Sequence, residues 1–334
     1  MSTTTTTTTA SATAATYGVI RYSEPDDSVP ASERSFYSFP ASRLVEDHKH
    51  ELHDLRGTDP SLDVQGFTWL QHKSALSDNA WFEGSNIEDV YVPEMTKLIC
   101  EVTGAKRAVI DGFGIRTRSA TLKEEKPYDV KLKGDGLDKV VGKLPRDVVR
   151  VSGRDRNGVG IPPARTAHID FSVEGLRDTV RWGRQDIAQV AKAELDAEDA
   201  GGAPRYAAYS IWRPLKPVKK DPLAMLDWRT VDPSDISPMT SRALSGIRAD
   251  GEYIRTGLSH NPPKDPSRPK WYWIPNQQPD EVVILKFADT AVGNLGEKDS
   301  ALAPHCVHGS PVIPGMENEE ARESIECRII AFFD

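Results

Sequence analysis

Apolar residues recur at helical spacing in two segments of the 334-residue chain. In residues 86–103 the apolar positions are Ile87, Val90, Met95, Leu98, Ile99 and Val102. In residues 174–196 they are Leu176, Val180, Ile187, Val190 and Leu195. Spacing of three or four residues puts such side chains on one side of a helix, so both segments are predicted to be amphipathic helices. A third and more polar pattern, starting at residue 42, predicts a helix on the surface.

Short apolar runs separated by prolines and Asp/Gly clusters predict β-strands in much of the rest of the chain. The predicted strands cover residues 66–70, 107–110, a short stretch at 168, 207–212, 253–258, 271–274, 282–287, 305–308 and 325–333. Helices early in the chain and many short strands later favour a mainly β fold with flanking helices, in which one curled β-structure is supported by helices. Residues 16–334 show no domain boundary and are predicted to form a single domain.

Two segments fall outside this pattern. Residues 1–15 are almost entirely Thr, Ala and Ser, which cannot bury an apolar face, and they are predicted to be a disordered tail. Residues 119–163 are rich in Lys, Asp, Gly and Arg. A long polar connection within a compact domain is often a lid or a binding loop, and it is about as often a solvated insertion.

The composition is that of a globular protein with a core, with 38% hydrophobic and 28% charged residues. The net charge of −8 argues against a nucleic-acid partner, because phosphate binding needs a basic surface. No stretch approaches the roughly 18 apolar residues that a membrane span requires. The N-terminus does not resemble a secretion signal, and three cysteines without a CxxC pair are typical of a reducing compartment, so we predict a cytoplasmic protein. Nothing in the sequence indicates an oligomeric state.

A possible metal site begins at the sequence His168-Ile169-Asp170. Residues i and i+2 of a strand point to the same face, so both side chains could meet one metal ion. A histidine from another strand would complete a two-histidine, one-carboxylate triad, which binds Fe(II) and leaves positions open for other ligands. His305 is the first choice for that histidine and His308 the second, and in a strand only one of them can face inward. The spacing alone is common by chance, and a lone histidine most often bonds to backbone.

A candidate co-substrate site lies near the C-terminus. A dicarboxylic acid needs a fixed cation, and Arg322 offers a planar fork with the hydroxyl of Ser324 two residues on. Even-numbered residues from 322 to 328 share one face of a strand, which we place in the interior, while Ile325, Cys327 and Ile329 face the supporting helices. Arg322 is assigned to the distal carboxylate. Arg328 is assigned to the end nearer the metal, or to a pair with a group beside it.

Three further residues are candidates for binding the substrate: Trp212, Arg213 and Tyr272. Aromatic residues of this kind wall a pocket in some proteins and only fill the core in others, and the core is the commoner role for tryptophan. The sequence HKHELH contains His48, His50 and His53. If this segment is helical, His50 and His53 share a face and could bind a metal, although a solvated helix face is the more frequent explanation.

Several longer stretches make the chain resemble a known family. They are DLRGTDPSLDVQGF, AHIDFS, YAAYSIWRPLKPVKKDPLAMLD, KWYWIPNQQPDEVVILKFAD, APHCVHGSP and RESIECR. Together they resemble the fungal hydroxylase/desaturase family of 2-oxoglutarate/Fe(II) dioxygenases, which includes gibberellin desaturase-like, AsaB-like and cephem-methoxylase-related proteins. The connection of residues 309–321, between His305 and Arg322, is longer than is usual in the family.

This resemblance implies a double-stranded β-helix, or jelly roll. It implies Fe(II) on His168, Asp170 and His305, with 2-oxoglutarate and O2 as co-substrates. The expected reaction is hydroxylation, desaturation or oxidative ring closure of a small molecule in fungal secondary metabolism. Two alternatives stay open at this point: an iron oxidase with the same triad that does not use 2-oxoglutarate, and a catalytically silent jelly-roll binding protein.

Overall fold

The computed structural model describes residues 15–25, 28, 30, 32, 42–117, 149–153, 161–292 and 302–333. Within these residues, the chain forms two β-sheets that face each other and are accompanied by helices. The strands are β1 Thr16–Pro25, β2 Ser42–Asp54, β3 Phe67–Gln71, β4 Arg107–Arg116, β5 Arg150–Ser152, β6 His168–Ile169, β7 Tyr206–Pro214, β8 Ala224–Leu226, β9 Ile236–Leu244, β10 Glu252–His260, β11 Trp271–Trp273, β12 Glu281–Asp289, β13 His308–Gly309 and β14 Ser324–Phe332.

The eight-stranded sheet has the order β1-β2-β11-β8-β13-β6-β10-β9, and the six-stranded sheet has the order β3-β12-β7-β14-β4-β5. Neighbouring strands are antiparallel except for the pairs β2–β11 and β4–β5. Strands adjacent in a sheet are mostly distant in sequence, which is typical of a jelly roll. The mainly β fold predicted from the sequence is confirmed.

Four α-helices accompany the sheets: α1 Val92–Thr103, α2 Val173–Trp182, α3 Gln185–Val190 and α4 Lys192–Asp199. A π-helical turn, Ile87–Tyr91, leads directly into α1, and 3-10 turns cover Asp78–Phe82, Trp228–Thr230 and Pro233–Asp235. The predicted helix over residues 86–103 is therefore confirmed. None of the helices in the described part of the chain has the length and apolar character needed to cross a membrane.

The second predicted helix, over residues 174–196, is divided into α2, α3 and α4. Its start is marked by Ser172, whose hydroxyl accepts a hydrogen bond from the Gly175 amide at 2.9 Å. The break follows Gly183, because Arg184 has an extended backbone with φ −126° and ψ 147°. The buried guanidinium of Arg184 donates to the carbonyl oxygen of Asp111 at 2.5 Å. This contact with β4 explains why the helix does not continue.

The six-stranded sheet has an apolar outer face. Ile325, Cys327 and Ile329 of β14 are buried there in a cluster that includes Met95 and Leu98 of α1. Full burial of one such aliphatic side chain contributes about 1.5–3 kcal/mol, so this contact is a large part of what holds α1 to the sheet. The predicted alternation along β14 is confirmed on its apolar side, and the even-numbered residues are left facing the other sheet.

The polar segment from residue 42 is a strand, and the predicted surface helix is wrong. β2 pairs antiparallel with β1 over most of its length, from Thr16 opposite Leu52 to Pro25 opposite Ser42. Its side chains alternate, since His50 and Leu52 are buried while Glu51 is exposed. Much of the strand is charged because one of its faces is open to solvent.

The same strand rules out the proposed histidine pair on a helix. In β2, His48 and His50 share a face, with ring centroids 6.2 Å apart, and His53 points to the other face. His50 accepts or donates a hydrogen bond at 3.0 Å to the hydroxyl of Tyr22. Within the described ranges, the histidines of this segment belong to no group able to hold a metal ion.

Two predictions concern segments that lie largely outside the described residues. The tail prediction falls on residues 1–15, of which the structure describes only residue 15. Of the insertion at 119–163, the structure describes 149–153 and 161–163. In those parts, β5 pairs parallel with β4, and Ile161 forms a β-bridge with Arg116 at the end of β4.

Candidate metal centre and co-substrate pocket

Three side chains that suit a divalent metal meet between the two sheets. His168 begins β6, Asp170 follows that strand directly, and His308 begins β13. β13 and β6 pair with His308 opposite His168, so the two imidazoles lie side by side with centroids 4.4 Å apart. Nε2 of His168 is 3.1 Å from Oδ1 of Asp170, and one ligand atom from each of the three residues lies within 4.8 Å of the other two.

His305 does not belong to this cluster, so the predicted third ligand is corrected from His305 to His308. Residues 303–307 are irregular rather than extended, and the strand begins only at His308. The rule that alternate residues face alternate sides therefore does not apply to His305. Its Nδ1 bonds to the carbonyl of Phe287 at 2.5 Å, and its ring meets the edge of Trp228 at a centroid distance of 5.6 Å.

Backbone carbonyls orient both imidazoles of the cluster. Nδ1 of His168 lies 2.7 Å from the oxygen of Thr166, and Nδ1 of His308 lies 3.2 Å from the oxygen of Cys306. A protonated Nδ1 donates to each carbonyl, and Nε2 then carries the free lone pair. Metal-binding histidines are commonly held in this way.

The charges also suit a metal. Burial, together with the neighbouring His168, lowers the pKa of His308 to about 4, so its imidazole is neutral at neutral pH. Burial alone would raise the pKa of Asp170, but the adjacent Arg328 guanidinium and His168 outweigh it and hold that pKa well below its usual range. Two imidazoles with one ionised carboxylate make the donor set of a non-haem Fe(II) centre with open positions.

A cavity extends from the cluster between the sheets. The six-stranded sheet contributes Ser210, Trp212 and Glu326 to its wall, and Arg322 lies just before β14. The predicted interior position of residue 326 and of Arg322 agrees with this wall. The cavity thus has the metal cluster at one place in its wall and a buried arginine at another.

Arg322 is buried and only partly satisfied. It is 3% exposed, its Nη1 donates to the carbonyl of Asp221 at 2.5 Å, and its guanidinium lies 5.3 Å from the ring of Trp212. Burial and the nearby Arg116 lower its pKa to about 9, so it remains charged at neutral pH. Among the described residues, its Nε–H has no hydrogen-bond acceptor.

Three serine hydroxyls near Arg322 are also buried without a hydrogen-bond partner among the described residues. They are the Oγ atoms of Ser210, Ser310 and Ser324. A buried polar group left without a partner costs about 1–3 kcal/mol, so four of them near one cavity indicate a polar ligand. A cation with spare N–H capacity and neighbouring hydroxyls fits a carboxylate. The residues present therefore fit the distal end of 2-oxoglutarate.

Arg328 lies at the metal cluster instead of beside Arg322. Its Nε donates to Oε1 of Glu326 at 2.9 Å and is 3.1 Å from Oδ2 of Asp170. The other carboxylate oxygen of Glu326 is 3.3 Å from Arg116. This agrees with the second role predicted for Arg328, a pair with a group at the metal. Glu326 itself was not a candidate, although its even position on β14 already placed it in the interior.

The three candidate substrate residues separate in the structure. Trp212 lines the cavity. Arg213, the next residue of β7, points to the other face and donates to the carbonyls of His72 and Pro279, both at 2.8 Å. Its assignment to the substrate is therefore corrected, since a buried arginine bonded to two loops holds the framework. Tyr272 packs on Phe67 with ring centroids 5.8 Å apart and does not line the cavity beside His168 and His308.

Comparisons with known proteins agree with the arrangement of these residues. Residues 19–332 match a family model described as an oxidoreductase/YMDC permease-like domain. The gibberellin cluster GA4 desaturase of Gibberella fujikuroi is 32% identical over 295 residues, covering 82% of this chain and 83% of that protein. An Fe(II)/2-oxoglutarate-dependent dioxygenase of Aspergillus novofumigatus, nvfI, is 27% identical over 292 residues, covering 85% of this chain and 83% of that protein.

A solved structure with a similar fold is that of the iron and alpha-ketoglutarate-dependent endoperoxidase NvfI. It has a TM-score of 0.61 and 22% sequence identity, and the match covers 95% of this chain and 98% of that one. The predicted jelly-roll fold is confirmed by this likeness. The family match over nearly the whole chain and the 32% identical relative show family membership as well as fold. The chain therefore belongs to the fungal 2-oxoglutarate/Fe(II)-dependent hydroxylase/desaturase family that its motifs resemble.

Proposed function

We propose that the protein uses Fe(II), 2-oxoglutarate and O2 to oxidise a C–H bond of a small organic molecule in fungal secondary metabolism. One observation carries this proposal: His168, Asp170 and His308 form one cluster, and His168 and His308 line the same cavity as the buried, half-satisfied Arg322. We also propose that it acts in the cytoplasm on a free small molecule. The acidic net charge of −8 supports that substrate class over a nucleic acid.

Each side chain of the cluster has a distinct part in holding Fe(II). His168 and His308 offer Nε2, because their Nδ1 atoms are engaged by the carbonyls of Thr166 and Cys306. Asp170 would supply a carboxylate oxygen and balance part of the metal's charge. When bound, the iron and 2-oxoglutarate supply the oxidising power, and the co-substrate leaves as succinate and CO2.

Arg322 would bind the distal carboxylate of 2-oxoglutarate, with Ser324 as a neighbouring donor. The carbonyl of Asp221 and the ring of Trp212 hold the guanidinium in place, so little side-chain freedom is lost on binding. Leu223 and Leu285 are apolar parts of the same wall and would shield a bound acid from water. A charge-assisted pair is stronger in such surroundings than in water.

The outcome of the oxidation is not set by these residues. The relatives' names include a desaturase, a dioxygenase and an endoperoxidase. The relatives thus differ in the reaction that their names give, and the position of the target carbon decides which product forms. Hydroxylation, desaturation and ring closure are all compatible with the proposed centre.

An anaerobic titration with Fe(II) and then 2-oxoglutarate tests the proposal. We expect a weak visible charge-transfer band that appears only when both are present and is missing in His308→Ala. A protein that binds Fe(II) but gives neither this band nor succinate during turnover is an iron oxidase that does not use 2-oxoglutarate. A protein that binds no Fe(II) is a silent jelly-roll binding protein, and the proposal is then wrong.

A further inference from the structure

The carboxylate of Asp170 has two oxygens in different surroundings. Oδ1 faces the cluster, 3.1 Å from Nε2 of His168. Oδ2 lies 3.1 Å from Nε of Arg328. Asp170 comes from the eight-stranded sheet and Arg328 from β14 of the six-stranded sheet, so this ion pair joins the two sheets at the metal cluster.

Arg328 is itself held in position by a second carboxylate. Its Nε–H donates to Oε1 of Glu326 at 2.9 Å, and Oε2 of Glu326 is 3.3 Å from Nη2 of Arg116. Glu326 is 8% exposed and lies in the cavity wall. Four charged groups therefore alternate in sign from Asp170 to Arg116 at the end of β4, and each of the two carboxylates contacts a guanidinium.

The number of oxygens that Asp170 gives to a metal matters for this chemistry. A carboxylate can bind through one oxygen or through both. With one, a two-histidine triad leaves enough positions for a bidentate co-substrate and a further ligand. If both oxygens of the carboxylate bind the metal, the second oxygen takes one of these open coordination positions.

We propose that Arg328, positioned by Glu326, retains Oδ2 of Asp170 and so keeps this residue a one-oxygen ligand. This inference rests on the proposed Fe(II)/2-oxoglutarate function. Arg328 and Glu326 are positioning residues here, since neither needs to touch the metal or the co-substrate. Their effect is to reserve a coordination position that 2-oxoglutarate would occupy.

The decisive measurement uses Mn(II), which is redox-silent here, and counts the exchangeable water molecules on the bound ion by magnetic resonance in the absence of 2-oxoglutarate. In Arg328→Met the count should be one lower than in the unmodified protein, because Oδ2 becomes available to the metal. The dissociation constant for 2-oxoglutarate should rise by about tenfold, the lower end of the effects seen when a residue that orients a metal ligand is removed. Arg328→Lys keeps the charge and should therefore lie between Arg328→Met and the unmodified protein, both in water count and in 2-oxoglutarate affinity.

Arg248→Met is the matched control. Arg248 forms an exposed pair with Asp250 at 3.0 Å, so its loss removes a guanidinium of equal size without affecting Asp170. If the water count in Arg328→Met equals that of the control, the proposal is overturned, even where 2-oxoglutarate binds more weakly. That pattern would mean that Arg328 contacts the co-substrate directly.

Glu326→Gln keeps the test decisive if Arg328→Met does not fold. Glutamine retains an acceptor for Arg328 but loses the charge. We therefore expect a mixture of molecules in which Asp170 binds the metal through one oxygen or through both, and an average water count between those of Arg328→Met and the unmodified protein. An unchanged count in Glu326→Gln then contradicts the proposal. Failure of the proposed function looks different, because the unmodified protein itself would bind no Mn(II) or would lose no water when 2-oxoglutarate is added.

Discussion

His305 and His308 are both buried and lie three residues apart, yet their surroundings give them different roles. His305 is fixed by the carbonyl of Phe287 and by the edge of Trp228. His308 stacks on the ring of Phe287 at a centroid distance of 5.4 Å and turns its imidazole towards His168. The difference comes from the backbone, which is irregular up to residue 307 and becomes a strand at 308.

We predict that His308→Ala abolishes Fe(II) binding, whereas His305→Ala retains it. The first removes one of three ligands. The second breaks one buried hydrogen bond, which should lower the free energy of unfolding by about 1–3 kcal/mol. Anaerobic Fe(II) titration and urea unfolding of both variants check this. Loss of metal binding in a folded His305→Ala protein, with binding intact in His308→Ala, would restore His305 as the ligand.

Arg322→Leu should weaken 2-oxoglutarate binding without affecting Fe(II) affinity. Loss of a charge-assisted pair costs about 1.5–3 kcal/mol, which is roughly tenfold or more in the dissociation constant. Titration of 2-oxoglutarate into the anaerobic Fe(II) protein measures this dissociation constant. The exposed Arg229 provides the control substitution Arg229→Leu. If Arg229→Leu and Arg322→Leu behave alike, Arg322 does not bind the co-substrate.

At the scale of elements, the segment that carries both histidines is held against the loop before β3. Gly66 has φ +88°, and a Cβ added there would lie 2.3 Å from the carbonyl oxygen of His305. The amide of Lys286 on β12 donates to the Gly66 carbonyl at 2.8 Å, and the amide of Cys306 donates to the Lys286 carbonyl at 2.7 Å. The backbone at His305 and Cys306 is thus fixed next to Gly66 and Lys286 through a contact that only glycine permits.

Gly66→Ala should therefore displace the segment and weaken Fe(II) binding through His308. Gly57→Ala is the matched control, since Gly57 has φ +77° but no atom within 4 Å of an added Cβ. A left-handed alanine costs about 1–2 kcal/mol at either position, and only Gly66 adds the clash. We expect Gly66→Ala to be the less stable of the two in urea and the weaker in Fe(II) titration. Equal behaviour of the two variants would show that this contact does not position His308.

At the scale of the whole molecule, the proposed ligands join the two sheets. His168 and His308 belong to the eight-stranded sheet and Asp170 directly follows β6, while Ser324 begins β14 of the six-stranded sheet and Arg322 lies just before it. A metal with 2-oxoglutarate would connect them across the cavity. Binding to the folded state alone stabilises a protein in proportion to the logarithm of ligand concentration over its dissociation constant.

We predict that Mn(II) and 2-oxoglutarate together raise the melting temperature more than Mn(II) alone. At a ligand concentration of about 100 times the dissociation constant, the gain is roughly 2.7 kcal/mol per ligand. Calorimetry measures it, and the His168→Ala protein serves as the control because it should gain nothing from either addition. A shift of the same size in that variant would mean that the ligands bind elsewhere.

Much of the architecture follows from the sequence, because its local rules hold wherever an element is continuous. The spacing over residues 86–103 predicts α1 with its preceding turn, and the alternation of Ile325, Cys327 and Ile329 predicts the apolar face of β14. The His168-Ile169-Asp170 spacing also puts two side chains at one point. Each of these depends on neighbours in sequence, whose relative directions the backbone geometry determines.

Only the tertiary structure decided the remaining members of the site. The choice of His308 over His305 depends on where β13 begins and on its pairing with β6, two features set by contacts with distant segments. The same holds for the outward face of Arg213 and for β2, whose polar residues become a strand by pairing with β1. Sequence periodicity specifies which side of an element a residue takes. Which element lies opposite is decided by the packing of the whole chain, because strands adjacent in these sheets are far apart in sequence.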